Sequence, residues 1–295
     1  MIDFLLFLLY KLIKFFILLL PKNITKYMLD ILVKLVLFID KKHIKIAKIN
    51  LDLVFQDTKS TEEKEQIIKQ SYQNLLYNIY EFIQNQTLTL QDLEQKLTIH
   101  NEQYILDALK NKRKIILITA HYGNWEYGST FIPLKYAPTT VVGRPLNNKF
   151  LNKELKQTRT KNNNELLSKN QASKGLIKAI KNGKILGLVI DQNNPKGIEV
   201  EFLNQKIKMI DSSSRLALKF DALILPVFFR PIEFGKYIVD FIEPLDPRKF
   251  QNQENSIYNL TQSQATIISD YIIKYPSYHL WQHRIFKEFQ KDIYK

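Results

Sequence analysis

Four short runs in the second half of the chain, KIILITA, TTVVG, KILGLVI and ALILPVFF, are apolar almost end to end. A strand with no polar face must be covered on both sides, the situation of strands inside an α/β sheet. Helical patterns lie between them: NWEYGSTFIPLKY, a charged stretch from 148 to 163, GLIKAIKN stopped by Gly183, and SSSRLALKF behind its serine cap. IEVEFLNQKIKMI alternates and predicts a hairpin around Leu203-Asn204-Gln205, and KYIVDFI predicts a further strand before a last helix over 255–274. Alternating helices and strands predict an α/β fold with a mixed, mostly buried sheet flanked by helices.

The first third reads differently. Residues 28–111 carry helical periodicity, and Ser60 with Glu63 has capping-box spacing. Tyr72, Tyr77, Tyr80 and Phe82 in this part read as packing. The segment MIDFLLFLLYKLIKFFILLLPK has only Asp3, Lys11 and Lys14 as charges in its first 20 residues. It lacks the basic start and small-residue cleavage site of a signal peptide. Its length approaches that of a spanning helix, yet two lysines fall mid-segment, where charge is costly. A short spanning anchor and an interfacial helix with snorkelling lysines both remain open. Basic residues follow the segment, so a spanning arrangement keeps the body of the protein in the cytoplasm. The expected organisation is a hydrophobic membrane anchor at 1–22, a helical region at 23–111, and an α/β domain at 112–295.

No cysteine is present, which excludes disulfides, thiolate nucleophiles and Cys-ligated metal. Five scattered histidines give no metal-site spacing, and no metal or cofactor is expected. The formal net charge of +14 favours acidic partners, whether anionic lipid or an acidic carrier protein. No nucleic-acid-binding motif accompanies it, so specific nucleic-acid binding is not expected.

In α/β sheets ligands bind beyond the carboxyl ends of the strands. His121, Arg144, the pair Asp191-Gln192 and Arg230 all follow strand-like runs. Within TAHYGNWE, residues 119–126, Gly123 permits a tight turn and Asn124 is a good helix N-cap. Glu126 then sits in the first helical turn, where the helix dipole alone would favour it. The turn would also carry Glu126 back toward His121. A carboxylate on one imidazole nitrogen fixes the tautomer and leaves the other free to take a proton from a substrate hydroxyl.

His121 and Glu126, as ILITAHYGNWE, resemble the His-x4-Asp/Glu motif of glycerolipid-type acyltransferases, and in this form the lipid A biosynthesis (late) acyltransferases of lauroyl/myristoyl type. KINLDLVFQD, VVGRPLNN, LKQTRTKNNNELL with Arg159, GKILGLVIDQN, LILPVFFR and YPSYHLWQHRIFK match further segments of that family in order. The hairpin EFLNQKIKMIDSS departs from the family's Phe-Phe-Gly-type turn. The resemblance implies transfer of a fatty acyl group from acyl-carrier protein to a hydroxyl of a 3-hydroxyacyl chain on a Kdo-bearing lipid A precursor. It implies an enzyme on the inner membrane with its catalytic domain in the cytoplasm. The same chemistry on another glycolipid or on a lysophospholipid is the alternative. By resemblance His121 is the general base and Glu126 orients it. Arg144 and Arg159 would hold phosphate or carboxylate, Asp191 and Gln192 would shape the site, and Asn124 would contact substrate. Packing is the expected role of Trp281, His283 and Arg284.

Overall fold

The computed structural model describes residues 2–162, 164–290 and 292–295. It opens with four helices: α1 (Ile2–Leu19), α2 (Lys22–Ile39), α3 (Lys41–Phe55) and α4 (Thr61–Gln84). Ser60 and Glu63 cap α4 reciprocally, as the spacing predicts. A short α5 (Leu90–Glu94), β1 (Leu97–His100) and α6 (Gln103–Lys110) follow. The α/β part runs β2 (Lys114–Thr119), α7 (Tyr127–Lys135), β3 (Thr139–Val142), α8 (Lys149–Arg159), β4 (Glu165–Leu167), α9 (Ala172–Lys181) and β5 (Ile185–Val189). A hairpin of β6 (Ile198–Phe202) and β7 (Gln205–Met209) then leads to α10 (Ser212–Phe220), β8 (Ala222–Glu233), β9 (Lys236–Phe241) and α11 (Ser256–Lys274).

Seven strands form one sheet in the order β1-β9-β8-β2-β5-β3-β4. β8, β2, β5, β3 and β4 are parallel to one another, and β9 runs antiparallel to β8. Both faces are covered. Ile116 and Ile118 of β2 pack into one hydrophobic cluster, and Ile115 and Leu117 pack into the other. This explains the unbroken apolar runs, because each strand has two buried faces.

One element corrects the helical reading of residues 28–111. Residues 97–100 form β1, an edge strand parallel to β9. The four-residue run LTIH has no strand signature of its own, and its ladder depends on β9, more than a hundred residues later. The hairpin turn has Leu203 and Asn204 both in the left-handed region, with φ of 52° and 60°. Asn adopts that region readily, and Leu203 is kept there by full burial and by its N–H donating to Ser269 Oγ at 2.9 Å.

At the N-terminus no helix among the described residues is long and apolar enough to cross a membrane. The lysines of α1 pair with α8. Lys11 reaches Glu154 of α8 at 2.5 Å, and Lys14 reaches Glu154 at 3.5 Å and also bonds Gln86. Its two cations therefore face the protein, where a carboxylate offsets their desolvation. The outer side of α1 is apolar and exposed through Leu5, Leu9, Leu12, Phe15 and Leu19, and α2 adds Met28, Leu35, Phe38 and Ile39. Contiguous apolar surface of this kind marks an interaction face.

Candidate active site

β2 and β5 are parallel neighbours with Thr119 opposite Val189. Two residues further along each strand lie His121 and Asp191, so the register alone brings them side by side. Asp191 Oδ1 contacts His121 Nδ1 at 2.8 Å, and Asp191 Oδ2 accepts the His121 backbone N–H at 2.8 Å. One carboxylate thus fixes both the ring and the main chain of the same residue. Nε2 of His121 has no partner among the described residues, and 23% of the side chain stays exposed.

The turn after His121 is bound from three directions. Gly123 sits at φ 52°, and a Cβ there would lie 1.8 Å from the Phe229 carbonyl oxygen, so only glycine fits. Its N–H donates to the Tyr278 carbonyl at 2.9 Å, and its carbonyl accepts from the amides of Asn74, at 3.1 Å, and Asn78 on α4. The Asn124 N–H donates to Phe229 of β8 at 2.9 Å, and Leu280 N–H donates to the His121 carbonyl at 3.0 Å. Strand β8, helix α4 and the C-terminal segment therefore all hold one tetrapeptide.

Electrostatics follow from burial and pairing. Burial raises the Asp191 carboxyl, but the charge and hydrogen bonds of His121 outweigh it and hold the group at about 2. Burial opposes charging of His121, and Asp191 overcomes it, so the imidazole is raised above its ordinary 6.5. His279, with 1% exposure, lies 3.8 Å from Asp191 Oδ2, and burial lowers it to about 4.

Glu126 differs from its expected role. Its carboxylate does not bond His121. It forms a two-pronged pair with Arg159, 3.0 Å to Nε and 2.5 Å to Nη2. α7 begins at Tyr127, not at Asn124, which displaces Glu126 from the geometry a cap at Asn124 would produce. Arg159 in turn has two of its three nitrogens engaged by Glu126, so it does not present a free fork to an anion. Asn124 is fully buried and is not the helix cap. Gln192 is exposed and its Nε2 lies 3.2 Å from His283 Nδ1. Arg144 is exposed in the loop after β3, on the same sheet edge as His121, with no ion pair among the described residues. Arg230 follows Phe229 beside the Gly123 turn at this edge, but its side chain is engaged elsewhere. It pairs with Asp240 at 3.4 Å and stacks over Tyr275 at 4.4 Å.

Two cavities meet at residues 121–126. The smaller, about 230 Å³, is lined by His121, Asp191, Asn193, His279, Arg284 and Lys287 among others. The larger, about 540 Å³, is walled by apolar side chains of α1, α2, α4 and α8, including Leu9, Ile13, Ile79 and Leu155, and reaches Trp125 and Glu126. The Trp125 ring meets the His121 ring edge-on at 5.3 Å, so this contact separates the two spaces. Sequence reasoning missed His279, the Asn74–Asn78 clamp and Asn193. His279 and Asn193 lie inside matched segments, YPSYHLWQHRIFK and GKILGLVIDQN, but nothing in those runs marks them as facing the site, and Asn74 and Asn78 lie in none.

A family model described as bacterial lipid A biosynthesis acyltransferase matches residues 2–288. The chain belongs to that family. No curated protein matches it at significant similarity. As a lipid A biosynthesis acyltransferase, it has its acyl-transfer chemistry to assign to a site, and the described edge offers an imidazole with a buried carboxylate and an adjacent apolar cavity. The acyltransferase match spans α1 and the C-terminal segment as well as the sheet, so the walls of both cavities lie within the matched region.

Proposed function

We propose that the protein transfers a lauroyl or myristoyl group from acyl-carrier protein to a 3-hydroxyacyl hydroxyl of a Kdo-bearing lipid A precursor, with His121 as general base. The observation that carries this reading is the 2.8 Å contact between His121 Nδ1 and the buried, ionised Asp191, with Nε2 open to the site. An ionised carboxylate at Nδ1 keeps the proton on that nitrogen and leaves the Nε2 lone pair to act. Nε2 takes the proton of the acceptor hydroxyl while the oxygen bonds to the thioester carbonyl carbon. The tetrahedral intermediate collapses with cleavage of the C–S bond, and the imidazolium returns its proton to the departing sulfur. Asp191 stabilises the transient imidazolium. Glu126, held by Arg159, adds a second negative charge that favours the protonated ring.

The larger cavity takes a fatty acyl chain. Its apolar walls suit methylenes, and it ends at Trp125, beside the base. Arg144 is placed to meet an anionic group of the acceptor, since a guanidinium binds phosphate or carboxylate with two parallel hydrogen bonds. No cofactor takes part, acyl-carrier protein being the co-substrate. The exposed apolar sides of α1 and α2 rest on the inner membrane from the cytoplasm, and the protein's positive charge suits that leaflet.

The test is acyl transfer by purified protein in detergent, with carrier protein charged with either chain and the Kdo-bearing precursor. A mass gain of one acyl group, absent with His121→Ala, is the expected result. Folded protein that adds no acyl group to this precursor, but does so to a lysophospholipid, would reassign the acceptor.

A further inference from the structure

The smaller cavity is not needed for the acyl chain, and its lining is unlike that of the larger one. We infer that it is a binding site for a phosphate ester, built from Asn193, His279, Arg284 and Lys287. Two of these groups are unsatisfied. The Asn193 side-chain amide nitrogen is buried without a partner, while its oxygen accepts from the Lys208 N–H at 3.2 Å. Both ring nitrogens of His279 are buried without a hydrogen bond, in a side chain only 1% exposed. An unpaired buried polar atom costs free energy that a ligand would return. At the mouth, Arg284 and Lys287 have no carboxylate partner among the described residues. Asp191 is the one acid in the lining; its oxygens bond the His121 ring and backbone N–H, and Oδ2 lies beyond hydrogen-bond distance of His279 Nδ1, at 3.8 Å. The space therefore offers an amide donor, an imidazole and two cations to one anionic group. His283, stacked on His121 at 5.8 Å and within 3.2 Å of Gln192, lines the same cavity beside the base.

Trp281 has the packing role expected of it, fully buried with its indole N–H on the Pro276 carbonyl at 2.8 Å. Arg284 does not. It is exposed and reaches the cavity. The segment after Trp281 thus turns a buried anchor into a charged rim.

Under the proposed acyl transfer, two sources supply a phosphate ester: the phosphopantetheine arm of the donor and the glycosyl phosphate of the acceptor. The source rests on that reading, whereas the site does not. Full-length protein in detergent, labelled with nitrogen-15 at histidine, would be titrated with inorganic phosphate, with chloride at equal ionic strength as control. A saturable shift of the His279 and His283 ring resonances is expected, absent with chloride and lost in Arg284→Ala/Lys287→Ala. No shift in the wild type, or the same shift with chloride, overturns the site whether or not the protein transfers acyl groups. In steady-state transfer the double variant is expected to raise KM about tenfold or more, the loss expected for charge-assisted hydrogen bonds, with kcat nearly unchanged. A rise confined to the carrier-protein substrate assigns the phosphopantetheine phosphate, and one confined to the precursor assigns the glycosyl phosphate. Unchanged KM for both overturns the role.

Discussion

Asp191 and Glu126 both bring a carboxylate to the neighbourhood of His121, yet one binds an imidazole and the other a guanidinium. Asp191 is nearly inaccessible, sits on a strand end and grips both the ring and the backbone of His121. Glu126 is 15% exposed, opens a helix and faces Arg159 from α8. The first pair is set by sheet register and cannot shift without moving β5 against β2. The second joins the start of the largely buried α7 to α8, beside the apolar cavity. Proximity in the sequence favours Glu126 as the partner of His121, and the geometry favours Asp191.

The sharpest way to test this difference is His121→Ala, which removes the group that Asp191 holds. Transfer should fall by at least ~100-fold, the low end for a general base, with the fold unchanged. Asp191→Asn should follow closely, because the amide no longer fixes the tautomer. The wild-type rate should rise with pH through a midpoint above 6.5, since the base must be neutral and Asp191 raises it. Removing that carboxylate should move the midpoint down. Glu126→Gln should cost less and move the midpoint less, because its charge is a lesser cause of the shift. A larger loss and a larger pH displacement from Glu126→Gln than from Asp191→Asn would reverse the two assignments.

Stability measurements separate the pairs further. Gly123→Ala should destabilise the fold by about 3 kcal/mol or more, as a Cβ meets the Phe229 carbonyl at an unfavourable φ. Denaturant titration would register this, and an unchanged midpoint would refute the packing of the turn. Asp191 binds its proton less readily when folded than when unfolded, so it contributes stability above pH 3.8 that is lost as pH falls toward about 2. Asp191→Asn should flatten that acid limb. The smallest effect is expected from Glu154→Gln, which breaks the partly exposed pairs with Lys11 and Lys14. Such pairs contribute roughly 0–1 kcal/mol, so protease sensitivity near α1 is a better readout than melting.

Much of the α/β part was legible because its signals are local. Strands buried on both faces leave apolar runs, and Gly183 and Asn204 mark an end and a turn by their own conformational preferences. β1 was not legible, because its identity lies in β9. The choice between Glu126 and Asp191 was not legible either. A spacing of five residues suggests a pair, while a separation of seventy suggests nothing until two strands are known to be neighbours. The pairing of the α1 lysines was not legible for the same reason, since their partner Glu154 belongs to a different part of the chain.

The turn that carries His121 is tied to the carbonyl of Tyr278 and the N–H of Leu280. A ribosome must therefore deliver the chain through Leu280 before the base is held in place. Chains that stop short of Tyr278 can complete most of the sheet and expose the apolar helices, yet they lack the clasp on this turn. Competence is in this sense acquired after the strands are complete, once residues 278–280 can close on the turn.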